Sequence, residues 1–102
     1  MALPGSLQSL TFAYAFLAGL ALPSGLQNLT FGSAFNRSLK GVELPTSLQS
    51  LTFGHSFNQS LQGIAWPTNL QSLAFGDRFN QGFDGVELPS SLQNLMLGYL
   101  FN

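Results

Sequence analysis

Few residues of this 102-residue chain could do chemistry, and three of them stand at regular intervals. Ser33, the single histidine His55 and Asp77 follow one another at spacings of 22 residues. A hydroxyl, an imidazole and a carboxylate are the groups of a hydrolytic triad, if the fold brings them together. Catalysis also needs an oxyanion hole and a pocket sheltered from water, and the sequence offers a candidate for neither. We therefore interpret the three as occupants of a variable position and predict no catalytic residues and no enzymatic activity.

The sequence also lacks the residues for a metal site or for a pair of catalytic carboxylates. His55 beside Asp77 would supply two ligands, whereas a structural zinc site needs four. Glu43 and Glu87 lie two repeats apart with Ala65 between them, so no carboxylate pair forms for acid–base catalysis. The absence of cysteine excludes disulfides and thiolate metal sites, and it gives no indication of the cellular redox compartment. We predict no metal and no cofactor.

The composition excludes partners that require a charged surface. Charged residues make up 7% of the chain, against roughly 25% in typical globular domains. The net charge is -1 and the few basic residues are dispersed, so no basic patch exists for nucleic acid or an anionic membrane. Residues 10–23 are apolar but too short for a membrane helix, and no basic segment precedes them as in a signal peptide. So few charges also give weak electrostatic protection against self-association.

One phrase of 22 residues is repeated along the chain and decides the predicted fold. The unit reads L-P-x-S-L-Q-x-L-T-F-G-x-x-F-N-Q-S-L-x-G-V-x. A fixed period with leucines at i, i+3 and i+5 is typical of a leucine-rich solenoid. We predict a single repeat domain of residues 1–102. Its coils are 3–21 (shortened), 22–43, 44–65, 66–87 and 88–102 (partial).

Each coil is predicted to contain one short strand. In residues 50–54 apolar and polar side chains alternate, which points Leu51 and Phe53 into the core and Thr52 towards solvent. No stretch of ten residues has helical periodicity. The predicted fold class is therefore all-β, a leucine-rich-type β-solenoid of 22-residue coils with little or no α-helix.

The rest of the coil must return the chain to the next strand. We expect Gly54 to let the chain turn, and residues 41–44 to form a second extended segment, because the residue before a proline avoids the helical region. Stacked coils place equivalent residues about 4.8 Å apart. The amides after the second core phenylalanine should therefore form a structural ladder. Its members are Asn36, Asn58, Asn80 and Asn102.

The unit L-P-x-S-L-Q-x-L-T-F-G-x-x-F-N resembles the FNIP repeat, a relative of the leucine-rich repeat, over essentially the whole chain. The chain departs from that pattern after the asparagine, where Gln59 and Ser60 stand in place of Ile-Pro. The resemblance implies a β-solenoid and, by association, protein interaction, and it implies no catalytic residues. The matching positions and their equivalents are Leu48, Leu51, Phe53, Gly54, Phe57 and Asn58.

The two residues that directly follow each recurring glycine vary from repeat to repeat, while the residues around them are nearly constant. Such positions form the binding surface of many solenoids, although solvent-exposed positions also vary without function. Trp66, in a leucine column, has two interpretations as well: a larger core residue filling space left by Ala65, or an aromatic anchor for a partner. The candidate binding face comprises Tyr14, Ser33, His55, Asp77, Arg78 and Tyr99.

Both terminal coils are apolar and lack the polar caps that solenoids normally carry. Uncapped strand edges pair readily with other chains. We therefore predict a structural protein whose partner is itself, stacked head to tail into filaments or head to head into a closed dimer. The alternative is a recognition module that binds another protein through the variable face. The residues expected to mediate self-association are Tyr14, Phe16, Leu17, Leu20, Leu95, Leu97, Leu100 and Phe101.

Overall fold

The structure, a computed structural model, describes residues 8–12, 22–39, 42–83 and 85–98. These residues form a parallel five-stranded sheet whose strands are neighbours in chain order. They contain no helix, so the predicted all-β solenoid is confirmed over them. The strands are β1 (Ser9–Phe12), β2 (Asn28–Phe31), β3 (Ser50–Thr52), β4 (Ser72–Ala74) and β5 (Asn94–Met96).

The strand register reproduces the sequence period. Leu29 pairs with Leu51, Leu51 with Leu73, and Leu73 with Leu95. Leu10 pairs with Leu29, so the shortened first copy keeps its strand in register. Parallel strands need a long connection between them, which the remainder of each coil provides without a helix in the described residues.

Alternation within each strand separates the core from the outer face. In β3, Leu51 is fully buried while Ser50 and Thr52 are half-buried. Phe53, which follows the strand, is also buried. The predicted inward direction of Leu51 and Phe53 is thus confirmed, and β4 repeats the pattern.

Two columns of phenylalanine rings run along the solenoid axis. In the first, Phe31, Phe53 and Phe75 stack with ring centroids 5.3 and 5.2 Å apart. Within one coil, the rings of Phe53 and Phe57 are 4.0 Å apart. Stacked aromatic pairs contribute about 0.5–1.5 kcal/mol beyond the area that they bury, so each coil depends on its neighbours. The second column is formed by Phe35, Phe57 and Phe79.

The segment expected to be a second extended stretch, residues 41–44, does not add a strand. The Val42 N–H donates to the Leu39 carbonyl at 3.0 Å, and Val86 makes the same bond to Phe83. The chain therefore turns before it reaches the proline, and strand pairing among the described residues is confined to β1–β5. Gly41 lies outside the described residues.

Gly54 is required for a reason other than turn conformation. The chain does turn there, since the Phe57 N–H donates to the Gly54 carbonyl at 3.4 Å, but Gly54 does not have a positive φ. A Cβ at this position would overlap the carbonyl of Gly32 in the preceding coil and lie 2.8 Å from the Phe31 carbonyl oxygen. Gly76 stands in the same relation to Gly54. The glycine column therefore allows close approach between coils.

Candidate functional site

The structure brings the three residues of the suspected triad to neighbouring turns on one side of the solenoid. Ser33, His55 and Asp77 each follow the column glycine, and all three are exposed. Backbone hydrogen bonds join these turns, from the Ser56 N–H to the Ser33 carbonyl (3.0 Å) and from the Arg78 N–H to the His55 carbonyl (3.1 Å). The candidate binding face is thus continuous from Ser33 to Arg78.

The side-chain contacts at this face do not form a proton relay. The His55 Nδ1 lies 3.8 Å from the Asp77 Oδ2, within ion-pair range but too far for a hydrogen bond. The Arg78 Nε–H donates to the His55 Nε2 at 3.4 Å, which occupies the nitrogen that a general base would turn towards a hydroxyl. No hydrogen bond joins His55 to Ser33, both of which are described. The arrangement is a solvent-exposed polar cluster.

The described residues contain neither a cluster of metal ligands nor a membrane-spanning helix. Among residues 8–12, 22–39, 42–83 and 85–98, no three His, Asp or Glu side chains converge on one point. Glu43 and Glu87 are both exposed, in coils that are not adjacent. None of the described residues form a helix long and apolar enough to span a bilayer.

The asparagine ladder joins successive coils through the backbone. The Asn36 Oδ1 accepts the Asn58 N–H at 2.9 Å, and the Asn58 Oδ1 accepts the Asn80 N–H at 2.9 Å. The Gln59 Nε2 donates to the Asn36 Oδ1, and the Gln81 Nε2 donates to the Asn58 Oδ1, each at 3.0 Å. We did not predict this role for the glutamines, although the recurring Asn-Gln pair was a visible signal.

The outer edge of β5 is apolar. Leu95, Met96 and Leu97 are 42%, 66% and 39% exposed. Leu73 and Phe75, the equivalents of Leu95 and Leu97 one coil earlier, are 1% and 5% exposed. The β5 strand pairs with β4 on one side, and on the other side no described strand covers it.

Eight residues predicted for the ends, the variable face and the ladder lie outside the described residues. They are Tyr14, Phe16, Leu17, Leu20, Tyr99, Leu100, Phe101 and Asn102. Their assignments stay predictions.

A groove that the sequence did not predict lies between the turns at 61–68 and 85–89. Its volume is about 460 Å³. Trp66 lines it and also packs against the core, so both interpretations of this residue remain compatible with its position. Glu87 lines the groove from the next coil.

Comparison with known proteins agrees with the solenoid. The FNIP Repeat family model matches residues 17–56 and 35–78, more than half of the chain together. A crystal structure described as "CroV588 a novel circular LRR protein structure" superposes with a TM-score of 0.83 and 40% identity over 98% of the chain. The chain spans 15% of that protein's length. None of the curated proteins matches it. The resemblance seen in the sequence is confirmed, and this protein belongs to the FNIP repeat family.

Proposed function

We propose that the chain is a non-enzymatic structural repeat protein that associates with copies of itself through the edges of its sheet. The exposed apolar edge of β5 is the observation that carries the proposal. Leu73 and Phe75 are covered by the coil that follows them, whereas Leu95 and Leu97 have no such cover among the described residues. An unpaired apolar strand edge is a template for another strand.

The occupant that fits this edge is β1 of a second copy. Its sequence Ser-Leu-Thr-Phe already pairs in parallel with β2, and β1 has no described strand on its other side. Head-to-tail stacking would place Ser9 opposite Asn94 and Leu10 opposite Leu95, in the register that the other four pairings use. The sheet would continue across the subunit boundary without a change of pattern.

The energetics require contact over a whole coil. Full burial of one large apolar side chain contributes about 1.5–3 kcal/mol, while association costs about 4–15 kcal/mol in lost freedom. Because Leu95, Met96 and Leu97 are already partly buried, each would contribute only part of the roughly 1.5–3 kcal/mol on association. Strand hydrogen bonds and the facing side chains of the second copy supply the rest. The low charge content adds little repulsion.

The stacked copies form an open filament unless the rotation from copy to copy closes a ring. We expect filaments. The solved relative is described as circular, which supports a ring as the second form. The two forms share one interface and differ in size distribution, because a filament grows with concentration and a ring stops at a fixed number of copies.

Sedimentation velocity over a concentration series tests the proposal. The purified chain should form species larger than a monomer, and Leu97→Lys should abolish them by placing a charge at the edge. Gln49→Lys adds the same charge at an exposed position of a central coil and should leave assembly unchanged. A wild-type chain that stays monomeric throughout, or a Leu97→Lys variant that assembles normally, would contradict the proposal.

The variable face supports a second candidate function, recognition of another protein. The polar cluster of His55, Asp77 and Arg78 is exposed on consecutive turns of a rigid scaffold, where solenoids commonly bind partners. This function predicts a discrete species at all concentrations, with partner binding lost in Asp77→Ala. Self-association predicts that Asp77→Ala assembles like the wild type.

A further inference from the structure

We propose that the groove between residues 61–68 and 85–89 binds a cationic side chain, arginine or lysine, of a partner polypeptide. The groove lies apart from β1, from β5 and from the variable turns, so the inference does not depend on self-association. The residues that carry it are Gly63, Trp66, Gly85 and Glu87.

Trp66 supplies an aromatic surface where the repeat elsewhere has leucine. Its equivalents are Leu3, Leu22, Leu44 and Leu88. The indole is half-buried, with part of it against the core and part lining the groove. No described residue accepts a hydrogen bond from it. A partly desolvated indole face attracts a guanidinium or ammonium group through its quadrupole.

Glu87 supplies a negative charge beside that surface. It is exposed, and among the described residues that line the groove it is the one that carries a charge. The ion pair in the described residues is the one between His55 and Asp77, and Glu87 has no described partner. An arginine can lie on an aromatic face while its N–H groups donate to a carboxylate. Charge complementarity therefore favours a cationic occupant over a neutral one.

Two of the residues that line the groove are glycines in left-handed turns. Gly63 and Gly85 have φ angles of 78° and 74°, in the left-handed region that other residues rarely adopt. Both line the groove. Neither glycine adds a side chain of its own to the groove, and the Gln62 amide lies 3.4 Å from where a Gly85 Cβ would stand. This leaves a partner side chain room to reach Trp66.

The single tryptophan of the chain makes the groove directly observable. Fluorescence of Trp66 should change saturably when the chain is titrated with N-acetyl-arginine amide. The isosteric but uncharged N-acetyl-citrulline amide should leave it unchanged, as should methyl glucoside. An equal response to citrulline would contradict charge recognition, and a response to the glucoside alone would assign the groove to carbohydrate stacking. No saturable response to any of them would overturn the site.

Matched variants identify the carboxylate. Glu87→Gln should weaken arginine binding by about tenfold, equivalent to about 1.4 kcal/mol. Glu43→Gln changes the same column of the repeat at a glutamate that does not line the groove, and should leave binding unchanged. Trp66→Leu restores the repeat consensus, so it should fold, and calorimetry should detect no binding heat. Equal effects of the two glutamate variants would overturn the proposal.

Discussion

Alanine at Gly54 tests whether contact between coils explains the recurring glycine. Since Gly54 does not have a positive φ, backbone considerations alone predict that alanine would stabilise the protein by about 0.4–1 kcal/mol through the unfolded state. The structure predicts the opposite sign. The added methyl group would overlap the Gly32 carbonyl and lie 2.8 Å from the Phe31 carbonyl oxygen. Both neighbours are backbone, so relief requires the coils to separate.

The expected loss is a measurable fraction of the total stability. Overpacking costs about 1–3 kcal/mol, whereas a domain of this size is stable by about 5–15 kcal/mol. With a urea m-value of about 1–3 kcal/mol/M, the midpoint should fall by about 1 M. Gly82→Ala is the matched control, because its added Cβ meets nothing within 4 Å and its φ is not positive. It should be neutral or slightly stabilising.

Urea denaturation followed by Trp66 fluorescence measures both variants. Association would raise the apparent stability, so the midpoints are compared at concentrations where they no longer depend on concentration. A Gly54→Ala variant as stable as the wild type would refute the close-approach explanation. An equal loss in Gly82→Ala would show that glycine is needed throughout for another reason.

Two further substitutions probe the contacts between coils. Phe57→Ala removes a fully buried ring that stacks between Phe35 and Phe79, and should cost about 3–5 kcal/mol by urea denaturation. Asn58→Ala removes an acceptor of two hydrogen bonds from the next coil, and should cost about 1 kcal/mol because the site is exposed. Hydrogen exchange at the Asn80 amide should then accelerate, and an unchanged rate would argue against the ladder.

The sequence period predicts the fold because stacking gives equivalent positions equivalent surroundings. A leucine or phenylalanine that recurs every 22 residues must face the same core in each coil, as Leu29, Leu51 and Leu73 do. Leu95 and Leu97 occupy the same two columns, and they are more exposed because no described strand pairs with β5 on its outer side.

Contacts between exposed side chains were less predictable. The variable position indicated that Ser33, His55 and Asp77 lie near one another, but Arg78 rather than Ser33 contacts the His55 Nε2. Rotamers of exposed residues decide such contacts, and a one-dimensional pattern does not encode them. The groove at Trp66 includes the left-handed turn at Gly85. A recurring glycine in the sequence does not show whether it is needed for a left-handed φ, as at Gly85, or for close packing between coils, as at Gly54.

One pair of introduced thiols can test whether the two sheet edges proposed for self-association face each other. The chain has no cysteine, so Ser9→Cys and Asn94→Cys supply the two thiols. Both positions are exposed and lie on the outer strands, in register with Asn28 and Ser72 respectively. Within one copy they are about 19 Å apart, four strand spacings, whereas a disulfide needs Cα atoms within about 7 Å.

Oxidation of this double variant, read on a non-reducing gel, is the most direct test of head-to-tail stacking. The account predicts a regular series of covalent oligomers, because the thiol introduced on β5 of one copy would face the thiol introduced on β1 of the next. Thr11→Cys with Asn94→Cys is two residues out of register, so it should link poorly. Monomers alone, or dimers formed equally well by Asn94→Cys without Ser9→Cys, would contradict the account.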